Sequence, residues 1–204
     1  MMKKFGLVLC ALILGISNTF AQSSIKLSTS EGSNNEDLTH VMQLQDIQLS
    51  KVQLSGSDLV GKNFQLFLRD YSKGKLVKSH LIFDSKEDGV FTIKEKEFGF
   101  SVLAKKIEST KMRIDFRFVG FSVTKIVDIK KDHQDFILKN FQNNLDGIHI
   151  PLHTNKSFLA LLMPYQLPNK SMRYIDAALT DLKPEEFGRT FNVPRYFLLD
   201  IKID

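Results

Sequence analysis

Arg113-Ile-Asp-Phe-Arg-Phe-Val119 is the stretch that decides the fold class. Ile114, Phe116 and Phe118 fall on one side of an extended chain, and Arg113, Asp115 and Arg117 fall on the other. Polarity with a period of two marks a strand whose sheet has one apolar and one solvated face. Gly120 ends the run, and Phe121, Val123, Val127 and Ile129 resume an apolar face beyond it. The same alternation returns at Phe197, Leu199, Ile201 and Ile203. Ile114, Phe116, Phe118, Leu199 and Ile201 are therefore the expected core positions.

Upstream, Phe64, Leu66 and Leu68 alternate with Gln65, Phe67 and Arg69. Ser72-Lys-Gly-Lys75 then turns the chain into the apolar run Leu76–Phe83, which reads as a β-hairpin. Asp88-Gly89 marks a further turn before Val90–Lys94, and Phe98, Phe100 and Val102 share a strand face. Phe158–Met163 is apolar throughout, as suits a strand covered on both faces. Short strands separated by turn signals predict a mainly β chain, an antiparallel β-sandwich. With 17 Phe and no Trp, the core between its sheets is expected to be filled by rings without polar atoms. One short helix is expected near residues 172–182, where Met172, Ile175, Leu179 and Leu182 recur at spacings of three and four. Lys183–Gly188, with Pro184 at its start and Gly188 at its end, reads as a single helical turn.

The domain organisation follows from the N-terminus. Lys3 and Lys4 precede the apolar run Phe5–Ile16, and Ser17–Ala21 is polar and small. Residues 1–21 thus read as a secretory signal peptide cleaved between Ala21 and Gln22. The run is shorter than the roughly 20 apolar residues of a membrane span. Residues 22–40 are rich in Ser, Asn and Glu, with only Ile25 and Leu27 alternating, and read as a mobile polar leader. Residues 41–204 are expected to form a single β-sandwich domain, long enough to bury a core without staples.

Composition narrows the chemistry. The formal charge of +5 falls to +3 once Lys3 and Lys4 leave with the signal peptide, too small a surplus for a dedicated nucleic-acid partner. Cys10, the only cysteine, lies inside the leader, so the mature chain has no disulfide, thiolate metal site or cysteine nucleophile. Cys10 follows Leu9 early in the apolar run, which is not the position of a lipid-bearing cysteine. His149 and His153 are four apart, but Pro151 between them excludes a helix interior. On a strand they stand about 13 Å apart, beyond the reach of one zinc ion with bonds near 2 Å. Asp84–Gly89 matches a calcium loop only in part, with Lys86 at its third position, and reads as a hairpin turn. Asp132–Asp135 likewise reads as a turn. No Gly-x-Ser-x-Gly elbow or phosphate-binding glycine loop occurs. No cofactor, metal ligand or catalytic residue is assigned.

Lys111, Arg113, Arg117 and Lys125 remain as a basic stripe on the solvated face of two neighbouring strands, suited to an anionic partner. Asp115, between the arginines, is expected to neutralise part of its field. Tyr71, Tyr165, Tyr174 and Tyr196 are the rings on hand for a glycan platform.

The leader Met-Met-Lys-Lys-Phe, ending Ser-Asn-Thr-Phe-Ala before Gln22, resembles those of small exported β-rich proteins of Bacteroides-type bacteria. That group is without an assigned activity, so the resemblance implies export to the periplasm, outer surface or medium and transfers no functional residue. The expected function is a non-catalytic binding or interaction module of the cell envelope, its partner an envelope protein or surface polymer. The alternatives are a small secreted hydrolase using a carboxylate pair and a C2-like sandwich binding calcium and membrane through loop acids.

Overall fold

In the computed structural model, residues 25–87, 91–129, 136–142, 147–178 and 182–204 are described. The expected signal peptide and the turns expected at Asp88-Gly89 and Asp132–Asp135 lie outside them. The elements run β1 (Lys26–Glu31), α1 (Glu36–Leu44), β2 (Gln48–Ser55), β3 (Phe64–Ser72), β4 (Lys75–Asp84), β5 (Glu97–Glu108), β6 (Lys111–Arg117) and β7 (Ser122–Asp128). They continue as β8 (Ile137–Asn140), β9 (Ile148–His149), β10 (Lys156–Leu162), β11 (Tyr165–Gln166), β12 (Met172–Arg173), α2 (Phe187–Thr190) and β13 (Arg195–Ile203). Two antiparallel sheets result, one of six strands in the order β7-β6-β5-β2-β1-β9 and one of five in the order β4-β3-β13-β10-β8. The chain is a mainly β, antiparallel sandwich, as its alternation predicts.

The period-two pattern places the core. Ile114 and Phe116 are fully buried and stand opposite Ala104 and Val102 of β5. Leu199 and Ile201 are fully buried opposite Leu68 and Leu66 of β3. Rings bridge the sheets: Phe64 lies 4.9 Å from Phe98, and Phe100 meets Phe158 edge-on at 6.0 Å. Phe118 is only half-buried, because β6 ends at Arg117 and Phe118 closes the end of the sandwich, stacked on Phe121 at 4.5 Å.

Two expectations need correction. The polar stretch 22–40 is not a mobile leader over its described part. β1 pairs with β2 along its whole length, from Lys26↔Ser55 to Glu31↔Ser50, and Ile25 and Leu27 are fully buried. Two inward apolar residues suffice where both flanks are paired. The polar residues after it build a helix start: Asn35 Oδ1 accepts the Leu38 N–H at 2.9 Å, and Glu36 and Asp37 occupy the first turn of α1.

The helix expected near 172–182 is also absent over its described residues. Met172–Arg173 is β12, paired with β11, and Met172 is 58% exposed while Ile175 is buried. The turn chemistry of Leu167–Ser171 overrides the spacing: Leu167 N–H bonds Ser171 C=O, and Asn169 Oδ1 accepts the Ser171 N–H. Helical structure comes later, as a 3-10 turn at Pro184–Glu186 that runs into α2. Gly188 lies inside α2 rather than ending it. A Cβ there would stand 2.2 Å from the Gly74 nitrogen, so two glycines let α2 settle on the β3–β4 turn.

The segment between β10 and β13 thus covers the outer face of the five-stranded sheet, with Phe187 and Val193 fully buried against it. Arg69 fastens it. Its guanidinium bonds Glu185 Oε1 at 2.9 Å and Ser157 Oγ at 3.0 Å, and its Nε lies 2.5 Å from Oδ2 of the fully buried Asp200. Burial, the largest single effect, opposes the charge of Arg69, but Asp200, Glu185 and Tyr71 together outweigh it and hold the pKa above the ordinary value. Tyr196 donates to the Glu185 C=O at 2.9 Å and stacks on Tyr71 at 4.9 Å. Burial pushes the Tyr196 phenol up to about 12.

Phe116→Ala is expected to destabilise the fold by about 3–5 kcal/mol in denaturant titration, as truncation of a packed ring does. Asp200→Ala strands Arg69 in the interior and is expected to be similarly severe, about 3–5 kcal/mol. Replacing Arg69 and Asp200 together by Met and Leu should recover much of that loss.

Candidate functional site

β-Pairing sets side chains in rows across the outer face of the six-stranded sheet. One row runs Lys105, Arg113, Ile126 across β5, β6 and β7, and the next runs Leu49, Leu103, Asp115, Thr124 from β2 to β7. Ile47, one residue before the first β2–β5 pair, closes the first row at the foot of α1. These rows enclose a groove of about 350 Å³, with Ile47, Leu103 and Ile107 as apolar walls and Lys105, Arg113 and Arg117 around them.

The electrostatics are set by one carboxylate. Asp115 stands on the face expected to be solvated, yet it is only 8% exposed. Arg113 Nε bonds it at 2.9–3.0 Å, Thr124 donates to it, and Arg117 reaches it at 3.9 Å. Both arginine side chains remain about half exposed while the acid is shielded beneath them. Lys105 bonds the neutral Gln45 Oε1 at 3.0 Å. The groove therefore carries three cations against one carboxylate, over a partly apolar floor.

The expected stripe is only partly assembled. Arg113 and Arg117 are brought together as predicted. Lys111 is on the same strand but is paired with Glu108 at 3.2 Å. Lys125 departs from the stripe: it stands opposite Ile114, on the side of the sheet that faces the second sheet, and its charge acts on His80 of β4. Alternation within one strand is visible in sequence, but the phase between strands is set by the turn joining them. Lys105 was missed for that reason, since only the β5–β6 register brings it beside Arg113.

The remaining candidates are distributed elsewhere. His149 lies exposed on β9, and His153 sits in the following turn with its Nδ1 3.1 Å from Asp204. Among the described residues no three His, Cys, Asp or Glu side chains gather as a metal set would. Tyr71 and Tyr196 are buried as a stacked pair beneath the cap, and Tyr165 packs on Phe191 at 5.2 Å. Glu185 lines a cavity of about 310 Å³, and both it and the buried Asp200 are bonded to Arg69, in an arrangement that fastens the cap. No described helix is long and apolar enough to cross a membrane. No protein-family model, curated protein or solved structure matches the chain.

Burial first, and then the charges of Lys125 and Lys78, lower the His80 pKa below the ordinary 6.5. The fold thus favours neutral imidazole, so this contribution to stability is full above pH about 6.5 and is lost as pH falls through the folded value. An NMR titration is expected to place His80 below 6.5. Lys125→Ser should move its midpoint upward, whereas Arg113→Ser should leave it in place.

Proposed function

We propose that this chain is an exported, non-catalytic binding module of the cell envelope that holds an anionic partner on the outer face of its six-stranded sheet. The observation that carries the reading is the groove itself: three cations converge on a partly apolar floor, and their one counter-ion is buried below them. Charge at such a surface attracts an anion over several ångströms, and a carboxylate placed beneath the arginines leaves their outward sides open to a ligand. The leader of residues 1–21 supports export, and the small net charge directs the partner toward a single anionic group or acidic segment rather than a nucleic acid.

The test uses the mature chain from Gln22 and dextran sulfate as an anionic probe. Association is expected to slow as salt rises, because exposed charges are screened with a Debye length of about 8 Å at 0.15 M. Arg113→Ser with Arg117→Ser should slow it by about tenfold at low salt, with circular dichroism unchanged. Asp115→Asn, which frees the arginines of their counter-ion, should act in the opposite direction. Equal association rates for all three proteins would reduce the groove to a solvated face.

A further inference from the structure

The outer face of the six-stranded sheet is larger than its groove. Lys51 of β2 stands opposite Ser101 of β5, and Ser101 stands opposite Arg117, so a fourth cation extends the row of Arg117. Hydroxyls separate the charges: Ser30 of β1 is opposite Lys51, and Ser122 of β7 is opposite Arg117. The acids among these rows are engaged. Asp115 lies beneath the arginines, Glu108 is bonded to Lys111 at 3.2 Å, and Asp128 stands opposite Lys111.

Exposed apolar side chains stand at both ends of this cationic field. At one end Val119, 93% exposed, tips the β6–β7 turn, which the Phe118 N–H closes by bonding the Phe121 C=O. At the other end Ile107 lines the groove beside Lys105 and Arg113, and Ile126 stands opposite Arg113. Val41 of α1 adds to them: it is four residues before Gln45, on the same side of the helix, and Gln45 bonds Lys105. Ile107, Ile126 and Val41 are 41%, 51% and 55% exposed. Arg113 and Val119 are six residues apart, about 20 Å of extended chain. An ion or small molecule in the groove leaves one end of that span uncovered. A flat surface with anions above an apolar layer meets both ends at once, its charge over the middle.

We infer that this face docks on an anionic lipid bilayer, with Lys51, Lys105, Arg113 and Arg117 at the headgroups and Val41, Ile107, Ile126 and Val119 entering the interface. The inference rests on the anion-binding reading above and names its partner. Charge complementarity selects anionic headgroups, whose phosphates also accept hydrogen bonds from the serines of the face. Apolar side chains set singly at two ends suit lipid, which closes around each one, whereas a protein partner needs a pocket for each. Such binding is peripheral and reversible, because only a few side chains enter and each cation adds a modest attraction.

Co-sedimentation of the mature chain with vesicles tests this, the vesicles made of phosphatidylcholine alone or mixed with phosphatidylglycerol. Binding is expected on the mixed vesicles, weakened by salt, and absent on phosphatidylcholine. Arg113→Ser with Arg117→Ser is expected to lower it about 25-fold, from about fivefold for each basic side chain near an anionic surface. Val41→Ser with Val119→Ser should lower it about tenfold and leave dextran sulfate binding unchanged. No binding to the mixed vesicles, with dextran sulfate still bound, overturns the membrane and leaves the anion groove to a soluble acidic partner. Undiminished vesicle binding in the arginine variant removes the anion groove and the proposed docking with it.

Orientation is read separately. The chain has no Trp, so Val119→Trp installs a single reporter at one end of the face. Leu76→Trp installs one on the outer side of the five-stranded sheet, where Leu76 is 51% exposed opposite Tyr71. Mixed vesicles brominated on their acyl chains are expected to quench the first and spare the second. Equal quenching, or quenching of Leu76→Trp alone, puts a different face on the membrane and overturns the proposal. Both positions are exposed, so both variants leave the core intact.

Discussion

β13 lies at the centre of the five-stranded sheet and is buried on both faces, and that constraint organises the rest of the molecule. Its inward residues Phe197, Leu199, Ile201 and Ile203 complete the sandwich core, while Tyr196, Leu198 and Asp200 face outward and are buried as well. An outward carboxylate under a cover needs a partner that is also covered. Arg69, on the neighbouring strand β3, supplies it and extends the bond to Glu185 in the covering segment. One ion pair thus settles where the connection between β10 and β13 must lie. At the inner face Arg195 repeats the logic, gripping Asp70 with two bonds of 2.6 and 3.0 Å and lying over Phe197.

How much of this was legible in the sequence depends on whether a residue reports on itself or on its neighbours. Ile114, Phe116, Leu199 and Ile201 announce their burial through alternation alone, and the hairpin at Lys73-Gly74 through its glycine. Ile25 and Leu27 were harder to read, because two apolar residues in a polar stretch carry too little pattern. Their burial comes from being flanked by β2 and β9, which are remote in sequence. Residues 172–182 misled in the opposite sense. Their helical spacing was present, but the covering segment buries its apolar residues one at a time on an irregular path. The prolines and turn amides there had more authority than periodicity.

The candidate groove shows the same division. Arg113 and Arg117 were visible because they share one strand, and Lys105 was not, because pairing between strands is invisible to a single sequence. Asp115 was read as a solvated partner and proves to be a shielded one. That difference matters to the chemistry: a counter-ion exposed at the surface competes with any ligand for the arginines, whereas one held underneath positions them. Thr124, on the next strand, does part of that holding and had no signal in the sequence at all.

The placement of β13 has a consequence for the order in which the molecule can be built. β3 and β10 are not paired with each other but each with β13, so the β3–β4 hairpin and the β8–β10 pair join into one sheet only when residues 195–203 are in place. The other sheet closes in a similar way, since β1, near the start of the described chain, pairs with β9 as well as with β2. Contacts of such long sequence separation form slowly, because the loops they close are large. A ribosome releasing this chain therefore emits hairpins and not a domain, and the sandwich assembles in one late event. For the export proposed above, that delay is useful: β13 withholds the fold while the chain is still an open thread.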